Sequence, residues 1–269
     1  MSDKTKIESE FFGLASQSDA GKQCDEGPER AKQPAAMCSH NGSPFRPVHR
    51  SRVPVLIVLD DGCSDRGEKV RLREKRITIG RSESHVCIPH DSQISKQHAE
   101  IVRVGDGIDA FWQLRDLGSA NKTFVRCREI VLQPTSRFLL GSYFFHFRPA
   151  ERIGADLPEG DKTTTAVRLP SPSLITPALV CESQAANIDD QLLARKTMSI
   201  GRPGYGNDLE IDDALLAEKH AEVKRLRDGS WRLLSLSSQN GIWAEIDGLR
   251  LSQKCRFRCG EQEFLFVLP

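Results

Sequence analysis

Four polar residues recur in the same order in both halves of the sequence. They are Arg81, His98, Ser119 and Asn121 in the first half, and Arg202, His220, Ser238 and Asn240 in the second. Ser95 and Lys96 stand just ahead of His98. Arg81, Ser95, Lys96 and Asn121 together supply a guanidinium, a hydroxyl, an ammonium and an amide. All four donate hydrogen bonds and two carry positive charge. The set suits an anion with several acceptor oxygens, and a phosphate monoester, with a charge of about −2 and three strong acceptors, fits it. It does not suit a metal, which needs lone-pair ligands.

Other reactive groups form no recognisable centre. Cys255 and Cys259 are four apart, and Cys38, His40 and His49 make a loose trio, but neither spacing matches a structural zinc site. His85, Cys87, His90 and Asp91 crowd one stretch and raise the question of metal-assisted hydrolysis. Their spacing matches no zincin or deaminase pattern, so they read as loop residues beside the anion site. No metal or cofactor is expected. No segment outside the repeated halves is long enough for a catalytic domain, so the chain is not expected to be an enzyme.

The donors need a frame, and the frame repeats. Ile79-Gly80-Arg81 returns as Ile200-Gly201-Arg202, and His98-Ala99-Glu100 as His220-Ala221-Glu222. Trp112-x-Leu114 through Ser119-x-Asn121 returns as Trp231-x-Leu233 through Ser238-x-Asn240. Arg137-Phe138 through Gly141 and Phe145-x-Phe147 returns as Arg256-Phe257 through Gly260 and Phe264-x-Phe266. The offsets are 121, 122, 119 and 119 residues, so one fold is used twice with small differences in loop length. Short β-branched and aromatic runs alternate with Gly, Asp, Ser and Asn clusters, which predicts an all-β architecture. Trp112, Leu114, Phe145, Phe147 and their counterparts alternate at period two and are expected in the core. Gly80, Gly141, Gly201 and Gly260 are expected in turns.

The repeats occupy 53–149 and 174–269. Residues 1–52 mix Ser, Gln, Lys, Glu, Gly and Pro without period and predict a disordered tail. Residues 150–173 have similar character and predict a flexible linker between two domains. The chain has 269 residues, with 38 Lys+Arg against 37 Asp+Glu, a net charge of +1. That balance excludes a nucleic-acid binder driven by bulk charge. The longest apolar run near the front, Val53–Leu59, has seven residues. A membrane-spanning helix needs about 20, so no membrane association is expected. No apolar signal segment follows Met1, which points to the cytoplasm and to reduced thiols for the eight cysteines.

On these residues each repeat resembles a forkhead-associated (FHA) domain. The first reads Gly80-Arg81, Ser95-Lys96-Gln97-His98 and Asp116-Leu117-Gly118-Ser119-Ala120-Asn121-Lys122-Thr123. The chain is therefore similar to tandem FHA proteins of bacterial type. The resemblance implies two β-sandwiches that bind phosphothreonine peptides through apical loops. It assigns phosphate contacts to Arg81 and Ser95, a further contact to Lys96, and the peptide main chain to Asn121. Gly80, His98 and Thr123 become structural supports. Lys122 departs from the family, standing where Gly is usual in a turn that favours positive φ. The second repeat departs further: it keeps Arg202 and Asn240, but Ala217 replaces the serine and Glu218 the lysine. Its phosphate site is read as degenerate.

The function so implied is a phosphothreonine-dependent adaptor in Ser/Thr kinase signalling. The alternative is an interaction scaffold with both pockets vestigial. The partner would be a phosphothreonine protein or the chain's own phosphorylated tail, with Thr5 and Thr163–Thr165 placed in polar segments that a kinase can reach.

Overall fold

The computed structural model describes residues 52–150, 176–183, 188–236 and 239–269. The expected tail (1–52, apart from Arg52), most of the expected linker, Thr5, Thr163–Thr165, Cys24, Cys38, His40, His49 and Ser238 lie outside them. Ten strands come from the first repeat: β1 Val55–Leu59, β2 Gly67–Arg71, β3 Arg76–Gly80, β4 Val86–Cys87, β5 Ala99–Val104, β6 Phe111–Asp116, β7 Thr123–Cys127, β8 Glu129–Leu132, β9 Arg137–Leu140 and β10 Tyr143–Arg148. Ten come from the second: β11 Ala178–Cys181, β12 Gln191–Leu192, β13 Thr197–Gly201, β14 Leu209–Glu210, β15 Ala221–Arg225, β16 Trp231–Ser235, β17 Ile242–Ile246, β18 Gly248–Arg250, β19 Lys254–Cys259 and β20 Gln262–Val267. One 3-10 turn, Gly107–Asp109, is the only helical element among the described residues. No helix among them is long and apolar enough to cross a membrane.

The expected all-β class holds, and so does the core-facing alternation. Leu114, Phe145 and Phe147 are buried, as are Trp231, Leu233, Phe264 and Phe266. Trp112 is only partly buried and lies 6.5 Å from the Phe266 ring. That contact already joins the first repeat to the second.

Strand pairing follows the same cross-repeat rule. One sheet has ten strands in the order β12-β11-β10-β9-β17-β7-β19-β20-β1-β2. Two five-stranded sheets run β14-β13-β15-β16-β8 and β18-β6-β5-β3-β4. Sandwich A therefore takes β1–β7 from the first repeat and β18–β20 from the second. Sandwich B takes β8–β10 from the first repeat and β11–β17 from the second. The two cores agree. One joins Leu56, Ile79, Ile101 and Leu114 to Phe257, Phe264 and Phe266. The other joins Phe138, Phe145 and Phe147 to Ile200, Val223 and Leu233.

This corrects the domain boundaries read from the sequence. The division into 53–149 and 174–269 describes the repeats, and neither repeat alone is a sandwich. The linker expected at 150–173 lies outside the described residues apart from Ala150, and the strands that flank it, β10 and β11, are paired neighbours within sandwich B, from Phe145↔Cys181 to Arg148↔Ala178. The crossings are made instead by Arg128, between β7 and β8, and Asp247, between β17 and β18. A hairpin needs about two loop residues to reverse the chain. With one, the chain runs on into the neighbouring sandwich, as short hinges do in domain swapping. β7 and β17 pair antiparallel at the seam, from Thr123↔Ile246 to Cys127↔Ile242.

Candidate functional site

In sandwich A, β3 ends on Gly80, where an added Cβ would collide with the Lys96 carbonyl and come within 2.5 Å of the Ser84 hydroxyl. Only glycine lets the next loop lie so close. The Arg81 amide then donates to the Ser95 carbonyl at 3.0 Å, and the Ser82 amide to that of Lys96 at 3.3 Å. The Arg81, Ser95 and Lys96 side chains therefore spring from adjoining stretches of backbone.

His98 holds this loop from below. It is fully buried. Its Nδ1 accepts from the Ser95 amide at 3.1 Å, so Nε2 carries the proton and donates to the Lys122 carbonyl at 3.0 Å. Burial, the largest influence, lowers its pKa below 6.5, against the opposing pull of the Lys122 carbonyl, Asp116 and Asp91. The imidazole thus links the loop bearing Ser95 to the turn bearing Asn121.

The Ser95 hydroxyl accepts from the Ala120 amide at 3.1 Å, which leaves its proton available to an outside acceptor. The Asn121 amide nitrogen is engaged by the Gln93 carbonyl and side-chain oxygen, both at 2.8 Å. Its own oxygen therefore remains to accept an N–H. Lys122 has a φ of 63°. Thr123 donates to Asp116 at 2.8 Å, and that carboxylate also accepts from the Gly118 amide and from the Ser119 amide and hydroxyl. Burial raises the Asp116 pKa, but the hydrogen bonds from Ser119 and Thr123 bring it below its ordinary value. Among the described residues, no acceptor or acid pairs with the side chains of Arg81 or Lys96.

The second site has the same scaffold. The Arg202 amide donates to the Ala217 carbonyl at 3.2 Å. His220 accepts from the Ala217 amide at 3.2 Å and donates to the Gly241 carbonyl at 2.8 Å. Asn240 donates to the Leu215 carbonyl at 2.7 Å. Gly241, with a φ of 64°, occupies the place of Lys122. A cleft of about 630 Å³ opens here, and Arg202, Ala217, Glu218 and Asn240 all line it.

Two positioning residues were missed by sequence reading. Asp91, 7% exposed, accepts from the Gln93 amide and from the Glu261 and Gln262 amides of the second repeat. Asp213 accepts from the Leu215 amide and from the Ser142 amide of the first repeat at 2.6 Å. Each loop thus rests on a turn from the other repeat. The signal was present, because Asp91 and Asp213 are separated by the same 122 residues as His98 and His220. The crowded stretch near Asp91 has other work: the His85 ring bonds the Thr78 hydroxyl at 2.7 Å. Among the described residues no three His, Cys, Asp or Glu side chains gather as metal ligands would. Cys255 and Cys259 are buried.

The two loops face opposite ways. β7 begins just after Asn121 and β17 just after Asn240, and they run antiparallel with four residues of offset between their starts. The sites therefore lie beyond opposite ends of the pair, whose strand starts are roughly 14 Å apart along it.

The FHA domain family model matches residues 77–141 and 198–261. No curated protein matches the chain. Among solved structures, one from a structural and functional analysis of phosphothreonine-dependent FHA domain interactions is 14% identical, covers 81% of this chain and 98% of its own, and has a TM-score of 0.31. The Slr1951 protein from Synechocystis sp. is 31% identical over 27% of this chain and 71% of its own, with a TM-score of 0.22. The FHA domain of the CT664 protein from Chlamydia trachomatis is 26% identical over 35% of this chain and 93% of its own, with a TM-score of 0.23. Matches over both repeats, on two sandwiches built from paired copies of one strand pattern, make this chain a tandem member of the FHA domain family.

Proposed function

We propose that the chain is a phosphothreonine-dependent adaptor, reading a kinase-modified protein with the Arg81, Ser95, Lys96 and Asn121 site of sandwich A. The observation that carries this reading is the pair of cations, Arg81 and Lys96, that no described acid neutralises, beside a hydroxyl whose proton is available. An anion there gains charge-assisted hydrogen bonds without displacing an existing ion pair. Each such bond is worth about 1.5–3 kcal/mol, roughly ten- to a hundredfold in affinity. Asn121 would accept an N–H from the peptide main chain. Gly80, His98 and Thr123 support the loops without touching the ligand.

The second site lacks the hydroxyl and carries Glu218 in place of Lys96, so it is assigned weak phosphothreonine binding or none. Titrating a fluorescent phosphothreonine peptide library into wild-type and Arg81→Ala protein tests the assignment. Loss of at least tenfold in affinity supports it. Absence of wild-type binding, or equal binding by the variant, favours the scaffold reading.

The chain's own segment between Ala150 and Thr176 is a candidate partner. Pairing places His146 level with Arg137, Arg137 level with Glu245 by extension of its ladder, and Glu245 level with Phe124. β10 therefore leaves the sheet at the same end as the first site, three strands or roughly 14 Å away. Fifteen residues separate Arg148 from Thr163. Extended, they span up to about 50 Å, enough to bring a phosphorylated Thr163–Thr165 to Arg81. Phosphorylated full-length protein would then bind an outside peptide more weakly than the unmodified protein; equal affinity removes this partner.

A further inference from the structure

The second site keeps its scaffold and its arginine while its walls change character. At the offset of the repeat, Gln93, Ser95 and Lys96 become Leu215, Ala217 and Glu218. The loop after Arg202 is two residues longer and carries Tyr205, whose ring centroid lies 5.9 Å from the guanidinium carbon. Tyr205 and Leu215 are 46% and 47% exposed, and both line the cleft. The Arg202 Nε is buried and has no hydrogen-bond partner among the described residues. A buried charged donor without a partner is costly, and a bound acceptor relieves that cost.

We propose that this cleft binds an unphosphorylated peptide segment presenting one carboxylate side chain next to a large apolar residue. The charges set the anion. Arg202 and Lys219 against Glu218 leave a surplus of one positive charge at the cleft. A carboxylate matches that surplus and fits the planar fork of a guanidinium. A phosphate dianion would meet Glu218 and find no hydroxyl at Ala217. Tyr205 and Leu215 supply the apolar wall for the adjoining side chain. Asn240 gives its amide nitrogen to Leu215 and keeps its oxygen for a main-chain N–H, which suits an extended peptide. This inference stands apart from the phosphothreonine reading of the first site.

The test uses full-length protein carrying Arg81→Ala, which silences the first site. It is titrated with fluorescent degenerate nine-residue peptides holding a central glutamate, glutamine or phosphothreonine, each followed by a mixture of Ile, Leu and Phe or by Ala. The expected order is glutamate with an apolar neighbour tightest, at least tenfold above its glutamine or alanine counterpart. Arg202→Ala should remove that preference. Leu215→Ser should weaken binding while leaving the unfolding temperature near wild type, so a folding defect in the first variant does not decide the matter. Ala217→Ser combined with Glu218→Lys should raise phosphothreonine binding at least tenfold. Equal binding of glutamate and glutamine peptides, a phosphothreonine peptide that binds tightest, or indifference to both Arg202→Ala and Leu215→Ser overturns the proposal. Failure of the first site is separately visible, as wild-type phosphothreonine binding that ignores Arg81→Ala.

Discussion

Gly260 lies in the second repeat, yet it packs under the candidate site of the first. Its φ is 58°, and an added Cβ would stand 2.6 Å from Asp91 Oδ2, 2.8 Å from Ile94 Cγ1 and 3.0 Å from Gln93 Cβ. Ile94 is 1% exposed and cannot swing clear. In Gly260→Ala the left-handed backbone alone costs about 1–2 kcal/mol. Overpacking adds about 1–3 kcal/mol. A central value of about 3 kcal/mol raises local opening roughly a hundredfold. Hydrogen exchange on the full chain reads the effect at the amides of Arg81, Ser95 and His98, all bonded within this site. Gly141→Ala is the mirror experiment. Gly141 has a φ of 59° and its added Cβ would strike the Asp213 carboxylate, so protection should fall at Arg202, Ala217 and His220. If each sandwich were made from one repeat, the two variants would exchange effects. Gly260→Ala loosening 202–220 while leaving 81–98 protected would refute the crossed assembly.

Lys122→Gly should raise stability by about 1 kcal/mol, because φ at 63° strains a residue with a Cβ; an unchanged or lower urea midpoint contradicts it. Burial lowers the pKa of both His98 and His220 below 6.5, so the folded chain binds fewer protons than the unfolded one. Stability should therefore fall as pH drops through about 6.5 toward the folded values, and the urea midpoint at about pH 6 should lie below that at about pH 7.5. His98→Asn should flatten the slope; no slope in wild type would refute the neutral buried imidazoles. Cys127 and Cys255 are pushed up to about 12 by burial, and Cys259 is raised as well, while Cys87 is exposed. A thiol reagent should label Cys87 rapidly and those three only on unfolding, with early labelling of Cys255 as the contrary result.

The sequence by itself determined the repeat, the all-β class and the polar residues of the candidate site. These are local properties. Period-two alternation at Phe145 and Phe147 fixes a strand face, and Arg81, Ser95 and Asn121 are readable from residue type and order. The Lys122 turn was legible for the same reason, since its counterpart is Gly241. The sequence did not reveal which copy of a strand completes which sandwich. Phe145-x-Phe147 and Phe264-x-Phe266 carry the same pattern, so either hairpin fills either core. Only the tertiary structure decided between them. The one-residue connections at Arg128 and Asp247 carry the chain across the seam, and β7 pairs with β17. The same crossing brings Gly260 to Asp91 and Gly141 to Asp213. Local pattern specifies strands, but the identity of the partner is a long-range property set by how far each connection lets the chain turn.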